Sequence, residues 1–191
     1  MIDLHALHSG KLRHLRGADL ESADLRCVDL SGIDLAGANL AGADLSGAIL
    51  RAPLRGVDFS GANLTGVDFR NADLRGALFL GTQLRGASFS GAFLSGATLS
   101  NLMLNDLDLQ GADLRGTNLS GSNLSGADLG NSNLSGADLS RAILEEANLS
   151  GAVLCGANLT EASLLCAVLD HTSVEGAILK GACVRGTVLD R

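Results

Sequence analysis

The chain has 191 residues, 46% of them hydrophobic, and a formal charge of −7 at pH 7. This acidic balance argues against direct binding of nucleic acid, which requires clustered Lys and Arg. With five Phe and no Trp or Tyr, large aromatic side chains cannot fill the interior. No window reaches the roughly 18 apolar residues of a membrane span, and the N-terminus lacks a secretory pattern, so we expect a cytoplasmic protein.

Residues 1–12 stand outside the periodicity that fills the rest of the chain. Asp3 is a candidate N-cap, and Leu4 and Leu7 follow it three residues apart. A solenoid needs a cover over its first core layer, so we predict a short helical cap over residues 1–12. The histidines in and beside this segment have uneven spacing and no supporting carboxylates, so no metal site is predicted there.

From residue 13 onward an apolar residue returns every five positions. Thirty-six such centres run from Leu15 to Leu189, of which 30 are Leu, four Phe and two Val. A period of five fits neither a helix nor a strand, so the chain must be a stack of short units. The residue two before the centre is usually Ala, the residue just before it is usually Asp or Asn, and Gly stands two after it in 23 repeats.

These positions predict a very short strand followed by a corner. The centre and the residue two before it have strand spacing and point inward, while the residue between them points outward. A type II turn needs positive φ at its third residue, which Gly adopts most readily and Asn next. Asn71, Asn101 and Asn131 occupy the Gly slot, so we expect positive φ there too.

The pattern A-[DN]-L-x-G, as in Ala43 to Gly47 and, with Asn in the Gly slot, in residues 127–131, resembles the pentapeptide-repeat family. The resemblance covers about residues 13–191, nearly the whole chain. It implies an all-β fold, a right-handed quadrilateral β-helix solenoid with four repeats per coil, and therefore about nine coils. Four corners per coil come from the resemblance, because the repeat itself predicts a corner but not how many close a coil.

Two places interrupt the repeat. Leu50 and Leu54 are only four residues apart, with Pro53 between them. Because proline lacks an N–H and is confined to edges or bulges, we predict a one-residue register break and a local distortion at residues 50–54. Leu102 and Leu107 stand where Ala is usual, and we expect them to widen their coil. The four centre Phe residues should pair across two neighbouring coils as core filling.

The outward positions supply the candidate contact residues. With four repeats per coil, outward Asp residues form an acidic surface, and Phe93 is the one aromatic residue expected to point outward. Arg55, Arg75 and Arg115 run beside one face, so a solvated ladder of weak ion pairs is the alternative interpretation of that face. The acidic candidates are Asp24, Asp29, Asp44, Asp68, Asp73, Asp108, Asp113 and Asp128.

The last coils become apolar at their outward positions, where earlier coils carry Asp. Val153, Val168, Ile178 and Val188 occupy such positions. Outward apolar residues suggest a contact surface, and we hypothesise homodimerisation through the C-terminal coils.

No catalytic, cofactor-binding or metal-binding constellation is predicted. The frequent Ser-Gly pairs follow from the repeat, and the order of ligands in an EF-hand is missing. The cysteines form no Cys-x-x-Cys pair and are interpreted as reduced structural or surface thiols. The chain is therefore interpreted as a binding protein and not as an enzyme.

Two functions remain in competition. Members of the resembled family include Qnr-type quinolone-resistance proteins and immunity proteins that interact with DNA gyrase, which implies an acidic rod that mimics DNA on a type II topoisomerase. This chain lacks the loop insertions and C-terminal dimerising helix of the Qnr-type members, and Arg side chains dilute its acidic surface. The alternative is a structural or regulatory interaction scaffold with an unknown protein partner and no DNA mimicry.

Overall fold

The fold is a stack of four-sided coils joined by parallel β-bridges. A computed structural model describes residues 15–190, and within that range it contains no helix and no strand longer than a single bridge residue. The bridge residues recur once per repeat from Asp19 to Cys183. The helical cap predicted for residues 1–12 lies outside the described residues.

Each bridge joins a residue to the one four repeats further along, as in Asp19 with Asn39 and Asp58 with Leu78. Four repeats therefore form one coil. The outward residues stack into four faces, which we number in chain order. Face 1 carries Asp34, Pro53, Asp73, Phe93, Asp113, Asn133, Val153 and Ser173. Face 2 carries Asp19, Asn39, Asp58, Leu78, Thr98, Asn118, Asp138, Asn158 and Ile178. Face 3 carries Asp24, Asp44, Asn63, Gln83, Met103, Asn123, Ile143, Ser163 and Cys183. Face 4 carries Asp29, Ile49, Asp68, Ser88, Asp108, Asp128, Asn148 and Val168.

The corners are β-turns that depend on a residue with positive φ. Ala18 N–H donates to the Leu15 carbonyl at 3.0 Å, and Gly17 between them has a φ of 64°. The predicted positive φ of Asn71, Asn101 and Asn131 is confirmed. Eight further residues that are not Gly adopt it as well, because the fold imposes this conformation at every described corner except the shortened one at residues 50–54. They are Ser22, Cys27, Asp106, Arg141, Glu146, Glu161, Cys166 and His171.

The core is a column of centre side chains with small residues between them. The Leu centres from Leu25 to Leu164 are almost fully buried. The predicted pairing of the centre Phe residues is confirmed. Phe59 stacks on Phe79 with ring centroids 5.2 Å apart, and Phe69 stacks on Phe89 at 4.9 Å. Such aromatic contacts contribute about 0.5–1.5 kcal/mol each beyond the burial of area.

The interruption at residues 50–54 removes a corner residue and leaves the core column intact. Bridges that cross it span 19 residues, as in Asn39 with Asp58. Ala52 is buried at 5% exposure, and Pro53 occupies a face position whose carbonyl accepts a hydrogen bond from Leu35 N–H at 3.0 Å. The missing residue is the one with positive φ, so the inward positions keep their order across the break.

A second irregularity lies on face 3, between the coil of residues 72–91 and the coil of residues 92–111. Gln83 and Met103 occupy stacked positions there but form no bridge. One coil earlier on this face, Leu64 N–H donates to the Gln83 carbonyl at 2.8 Å, and one coil later Leu104 N–H donates to the Asn123 carbonyl at 2.7 Å. The ladder is therefore open at this level of face 3, beside the two leucines that were expected to widen the coil.

Candidate protein-contact surfaces

The regular outward Asp, Asn and Ser side chains form hydrogen bonds that stabilise the turns. Asp44 Oδ1 accepts the N–H of Ser46 at 3.0 Å, and the same contact between residues two apart recurs along the chain. This is the Asx-turn, in which an Asp or Asn oxygen replaces a backbone acceptor. Several Ser hydroxyls likewise donate to the preceding Asn, as Ser125 does to Asn123 at 2.7 Å. These contacts give the repeated Asp, Asn and Ser residues a structural role.

Within residues 15–190, no group of three or more His, Cys, Asp and Glu side chains is arranged to hold a metal ion. The four cysteines are free thiols, three of them exposed. Across the part of the chain that the structure describes, no helix is long and apolar enough to span a membrane.

Four of the eight predicted acidic residues form ion pairs with Arg. Asp24 contacts Arg26 at 2.6 Å and Asp113 contacts Arg115 at 2.7 Å. Asp68 on face 4 and Asp73 on face 1 each contact two Arg side chains. These contacts join Asp68 to Arg51 and Arg70, and Asp73 to Arg55 and Arg75. The predicted ladder of ion pairs beside face 1 is confirmed for Arg55, Arg75 and Arg115, so this surface is not a continuous negative stripe.

These contacts also lower carboxyl pKa values. The hydrogen bond from Arg70, with further help from Arg51, holds the pKa of Asp68 well below its usual range. The hydrogen bond from Arg115 lowers the pKa of Asp113 in the same way. For Asp29 and Asp44 the lowered pKa comes mainly from hydrogen bonds with Ser31 and Ser46. All four carboxylates are thus stabilised in the charged form.

Phe93 does point outward, as predicted. Its side chain is 46% exposed on face 1, between Asp73 and Asp113. The guanidinium carbon of Arg75 lies 6.0 Å from the ring centroid, which is at the outer limit of a cation–π contact. Phe93 therefore sits within a surface of paired Arg and Asp side chains, which we call the Arg–Asp surface.

Net negative charge is concentrated in the second half of the chain. Residues 15–99 contain seven Lys and Arg against nine Asp and Glu, while residues 100–190 contain four against eleven. Five of the predicted acidic residues lie in the nearly neutral first half. The sequence prediction therefore placed most of the acidic surface in the less acidic part of the molecule.

One edge of the second half carries carboxylates that form no ion pair with a described Arg or Lys, although Arg70, whose pKa is raised chiefly by its hydrogen bond with Asp68, lies close enough to Asp108 for that carboxylate to raise it further. We call the edge between faces 3 and 4 in this half the acidic corner. None of its five side chains forms an ion pair with another described residue. Three of them line a shallow cavity of about 420 Å³ together with Met103 and Asn123. The acidic corner consists of Asp106, Asp108, Asp128, Glu145 and Glu146.

Sequence reasoning identified two of these five residues. Asp108 and Asp128 occupy outward face positions and were predicted as contact residues. It missed Asp106, Glu145 and Glu146 because they occupy corner positions rather than a face. These residues could have been found by aligning corner positions that lie 20 or 40 residues apart. Such an alignment stacks residue 146 two coils above residue 106 at the same corner.

The apolar residues of the last coils do not form one patch. Val168 is 43% exposed, Ile178 52% and Val188 56%, whereas Val153 is half-buried. They lie on three faces, because Val153 is on face 1, Ile178 on face 2 and Val168 on face 4. Val174, Leu179, Val184 and Leu189, the centres of the last described coil, are themselves only partly buried.

Comparison with known proteins bears on the fold and the family. The family described as pentapeptide repeats matches in eight copies, over residues 14–51, 52–91, 82–121, 122–160, 142–181 and 156–191. A search of curated proteins gives no significant match.

Solved structures with the same type of repeat come from proteins with different roles. HetL, a pentapeptide repeat protein involved in heterocyst differentiation regulation in the cyanobacterium Nostoc sp., is 37% identical, with 93% of this chain and 85% of that chain covered and a TM-score of 0.46. A trypsin-treated variant of QnrB1, a plasmid-mediated fluoroquinolone resistance protein, is 20% identical, with 88% and 85% covered and a TM-score of 0.50. A pentapeptide repeat protein from the thylakoid lumen of Arabidopsis thaliana is 32% identical, with 58% and 66% covered and a TM-score of 0.31.

The likeness to QnrB1 concerns the fold alone. The match of the repeat family across residues 14–191, with the fold likeness to QnrB1, supports the right-handed β-helix that the coils indicate. Together with the five-residue corners and the stacked centres, it establishes that this chain belongs to the pentapeptide repeat family.

Proposed function

We propose that this protein is a non-catalytic, protein-binding β-helix whose acidic half mimics duplex DNA toward a type II topoisomerase such as DNA gyrase. The acidic corner carries the proposal, because its five carboxylates have no Arg or Lys ion pair among the described residues. A negative rod complements a positively charged DNA-binding groove in both shape and sign. Such a protein protects gyrase against an antibiotic or a toxin and acts in the cytoplasm.

The proposal places six of the eight predicted acidic residues in two groups, and leaves out Asp29 and Asp44, which lie in the first half and form no ion pair with a described residue. Asp108 and Asp128 belong to the acidic corner and would face the partner directly. Asp24, Asp68, Asp73 and Asp113 are paired with Arg, so each offers little net charge to a basic groove. The fold shared with QnrB1, a fluoroquinolone resistance protein, is consistent with this proposal but does not identify the partner.

The proposed architecture is a cap over residues 1–12 followed by a β-helix of about nine coils over residues 13–191. Within it we propose a homodimer that forms through the C-terminal coils, where Val168, Ile178 and Val188 are exposed. Light scattering at micromolar concentration tests the dimer, and a monomeric mass would exclude it. A Val168→Asp/Ile178→Asp variant should be monomeric, while the same substitution at exposed Leu80 should leave the mass unchanged.

The proposed partner is tested by a gyrase supercoiling assay with and without a fluoroquinolone. We expect the protein at micromolar concentration to inhibit supercoiling or to relieve the effect of the drug. An Asp106→Asn/Glu145→Gln/Glu146→Gln variant should lose that effect. The matched control Glu21→Gln/Asp170→Asn/Glu175→Gln changes the same charge at exposed positions elsewhere and should retain it. Neither inhibition nor protection by the unmodified protein would exclude the topoisomerase proposal.

The alternative function is an interaction scaffold with an unknown protein partner and no DNA mimicry. The Arg–Asp surface around Phe93 favours it, because alternating charges suit a partner with its own mixed charges rather than a uniformly positive groove. Exposed aromatic and Arg side chains are also common in the centres of protein interfaces. If the acidic variant and its control behave alike in the gyrase assay while Phe93→Ala abolishes binding to a cellular partner, the scaffold replaces the topoisomerase proposal.

A further inference from the structure

The open stretch of face 3 leaves several backbone N–H groups without the inter-coil hydrogen bonds that run through the stack above and below it. In residues 72–91, the N–H groups of Gly81, Leu84 and Gly86 have no backbone acceptor in the next coil. In residues 92–111, the N–H group of Met103 likewise has no backbone acceptor in the preceding coil. Apart from Pro53, which has no N–H, and from the pairing of residues 167–171 with the last described coil, the equivalent groups in the rest of the described stack donate at 2.7–3.1 Å, as Leu104 N–H does to the Asn123 carbonyl at 2.7 Å.

The cause of this opening is the size of two inward residues. Leu102 and Leu107 are buried at 5% and 2% exposure, in positions that Ala97 and Ala112 occupy on either side. They lie next to the coil whose centres include Phe79 and Phe89. Because protein interiors are close-packed, extra side-chain volume is accommodated by moving the wall outward.

The opening forms a cleft of about 610 Å³. Its walls combine backbone at Gly81 with apolar side chains at Leu84, Leu102 and Met103. Met103 is 66% exposed. The other lining residues are Thr65, Thr82, Gln83, Arg85, Asn101 and Asn105.

The charge of this face-3 cleft is positive. Arg85 forms no ion pair or side-chain hydrogen bond with any described residue, unlike the arginines of the Arg–Asp surface. No Asp or Glu is among the residues that line the cleft. An unpaired guanidinium beside free backbone donors favours a ligand that brings a carboxylate and backbone carbonyl groups.

We propose that the face-3 cleft binds a short extended segment of a partner protein that carries an acidic side chain opposite Arg85. The segment's carbonyl groups accept from Leu84 N–H and Met103 N–H, and its own N–H groups donate to the Met103 carbonyl, which accepts no backbone hydrogen bond from a described residue. Peptides add a strand to an open sheet edge in the same way. An apolar side chain of the segment packs on exposed Met103. This inference rests on the proposed protein-binding role and is independent of whether the partner is a topoisomerase.

The test uses three labelled hexapeptides with the full-length protein in a fluorescence anisotropy titration. The first alternates Val and Thr around a single central Glu, the second has Lys in place of that Glu, and the third repeats the first with alternate backbone nitrogens methylated. We expect the Glu peptide to bind about tenfold more tightly than the Lys peptide. We expect methylation to weaken binding by at least about tenfold, because it removes backbone donors.

Variants locate the binding. Arg85→Glu should reverse the preference between the Glu and Lys peptides, whereas Arg185→Glu, an exposed Arg in the same column of the last coil, should not. Leu102→Ala/Leu107→Ala should close the cleft and abolish binding. Slower amide hydrogen exchange at Leu84 and Met103 in this double variant would show that it is folded with the ladder restored.

Three outcomes overturn the inference. The first is no binding of the Glu peptide at concentrations up to about 1 mM, the range of very weak recognition. The second is equal binding of the methylated peptide, which would indicate a pocket for side chains or small molecules rather than for backbone. The third is unchanged binding in both cleft variants. Since the gyrase assay uses no peptide, failure here and failure of the proposed function are separate results.

Discussion

The two halves of this β-helix share one backbone plan but differ in surface, corners and core. Residues 15–99 contain all four core Phe side chains and six of the eight ion pairs. Residues 100–190 have a Leu-based core and most of the excess negative charge. They also contain eight of the eleven corners at which a residue other than Gly has positive φ. The fold thus depends on the size of the inward side chains and on the backbone conformation of the corners. The outward side chains can therefore differ between the two halves.

The largest expected contrast between the halves is in core packing. Phe79→Ala should lower the free energy of unfolding by about 3–5 kcal/mol, because it leaves a cavity and removes a ring stacked on Phe59. Leu139→Ala, at an equivalent centre of face 2 in the second half, should cost about 1 kcal/mol less. Urea unfolding followed by circular dichroism measures both, and an equal or larger loss for Leu139→Ala would remove this difference between the cores.

Corners at which a residue other than Gly has positive φ give a smaller effect, and here the substitution should stabilise the protein. Glu146 has a φ of 58°, a conformation in which an L-residue with a side chain is disfavoured by roughly 1 kcal/mol. Glu146→Gly should therefore raise the free energy of unfolding by about 1 kcal/mol. The control Glu145→Gly removes the same charge at the neighbouring turn position, where φ is not positive, and should give no gain. A gain in both variants would attribute the effect to charge rather than to backbone strain.

Acid should weaken the first half through Asp68. Its pKa is lower in the folded chain than the ordinary Asp value, so the folded state binds fewer protons than the unfolded state as the pH falls. The resulting stabilisation is complete above the ordinary Asp pKa of about 3.9 and is lost as the pH falls toward the folded value. Urea unfolding between about pH 6 and pH 2 should show a smaller acid-induced loss for Asp68→Asn, by up to about 1 kcal/mol. An identical pH profile would mean that its two Arg contacts contribute nothing measurable.

The smallest expected effect concerns Phe93 and Arg75. Their geometry lies at the outer limit of a cation–π contact, so a double-mutant cycle with Phe93→Leu and Arg75→Met should give a coupling energy of about 0.5 kcal/mol. Repeating the cycle with Phe93→Leu and Arg115→Met supplies a comparison for an Arg without that ring contact. Equal couplings would show that the ring has no specific interaction with Arg75.

The sequence predicts the inward half of this structure well, because inward positions obey a strict period. Leu, Ala and the Phe pairs could be placed, and Asn71 could be assigned to a corner, since each follows from spacing within one repeat. The contact of Asp68 with Arg51 was harder to predict, because these residues are 17 positions apart and meet only across the shortened coil. The acidic corner was largely missed for a related reason, since it combines face and corner positions from several coils.

The open ladder on face 3 also has a consequence for how the molecule unfolds. In a stacked repeat protein each unit is coupled mainly to its neighbours, so cooperativity depends on the weakest interface. Residues 81–87 and 100–108 make that interface poorer by several hydrogen bonds than those above and below it. The coils up to residue 91, which contain the core Phe side chains, should therefore separate at this level from the coils that begin at residue 92. The two sets of coils should unfold as distinct units. Closing the cleft with Ala at Leu102 and Leu107 would then merge two transitions into one.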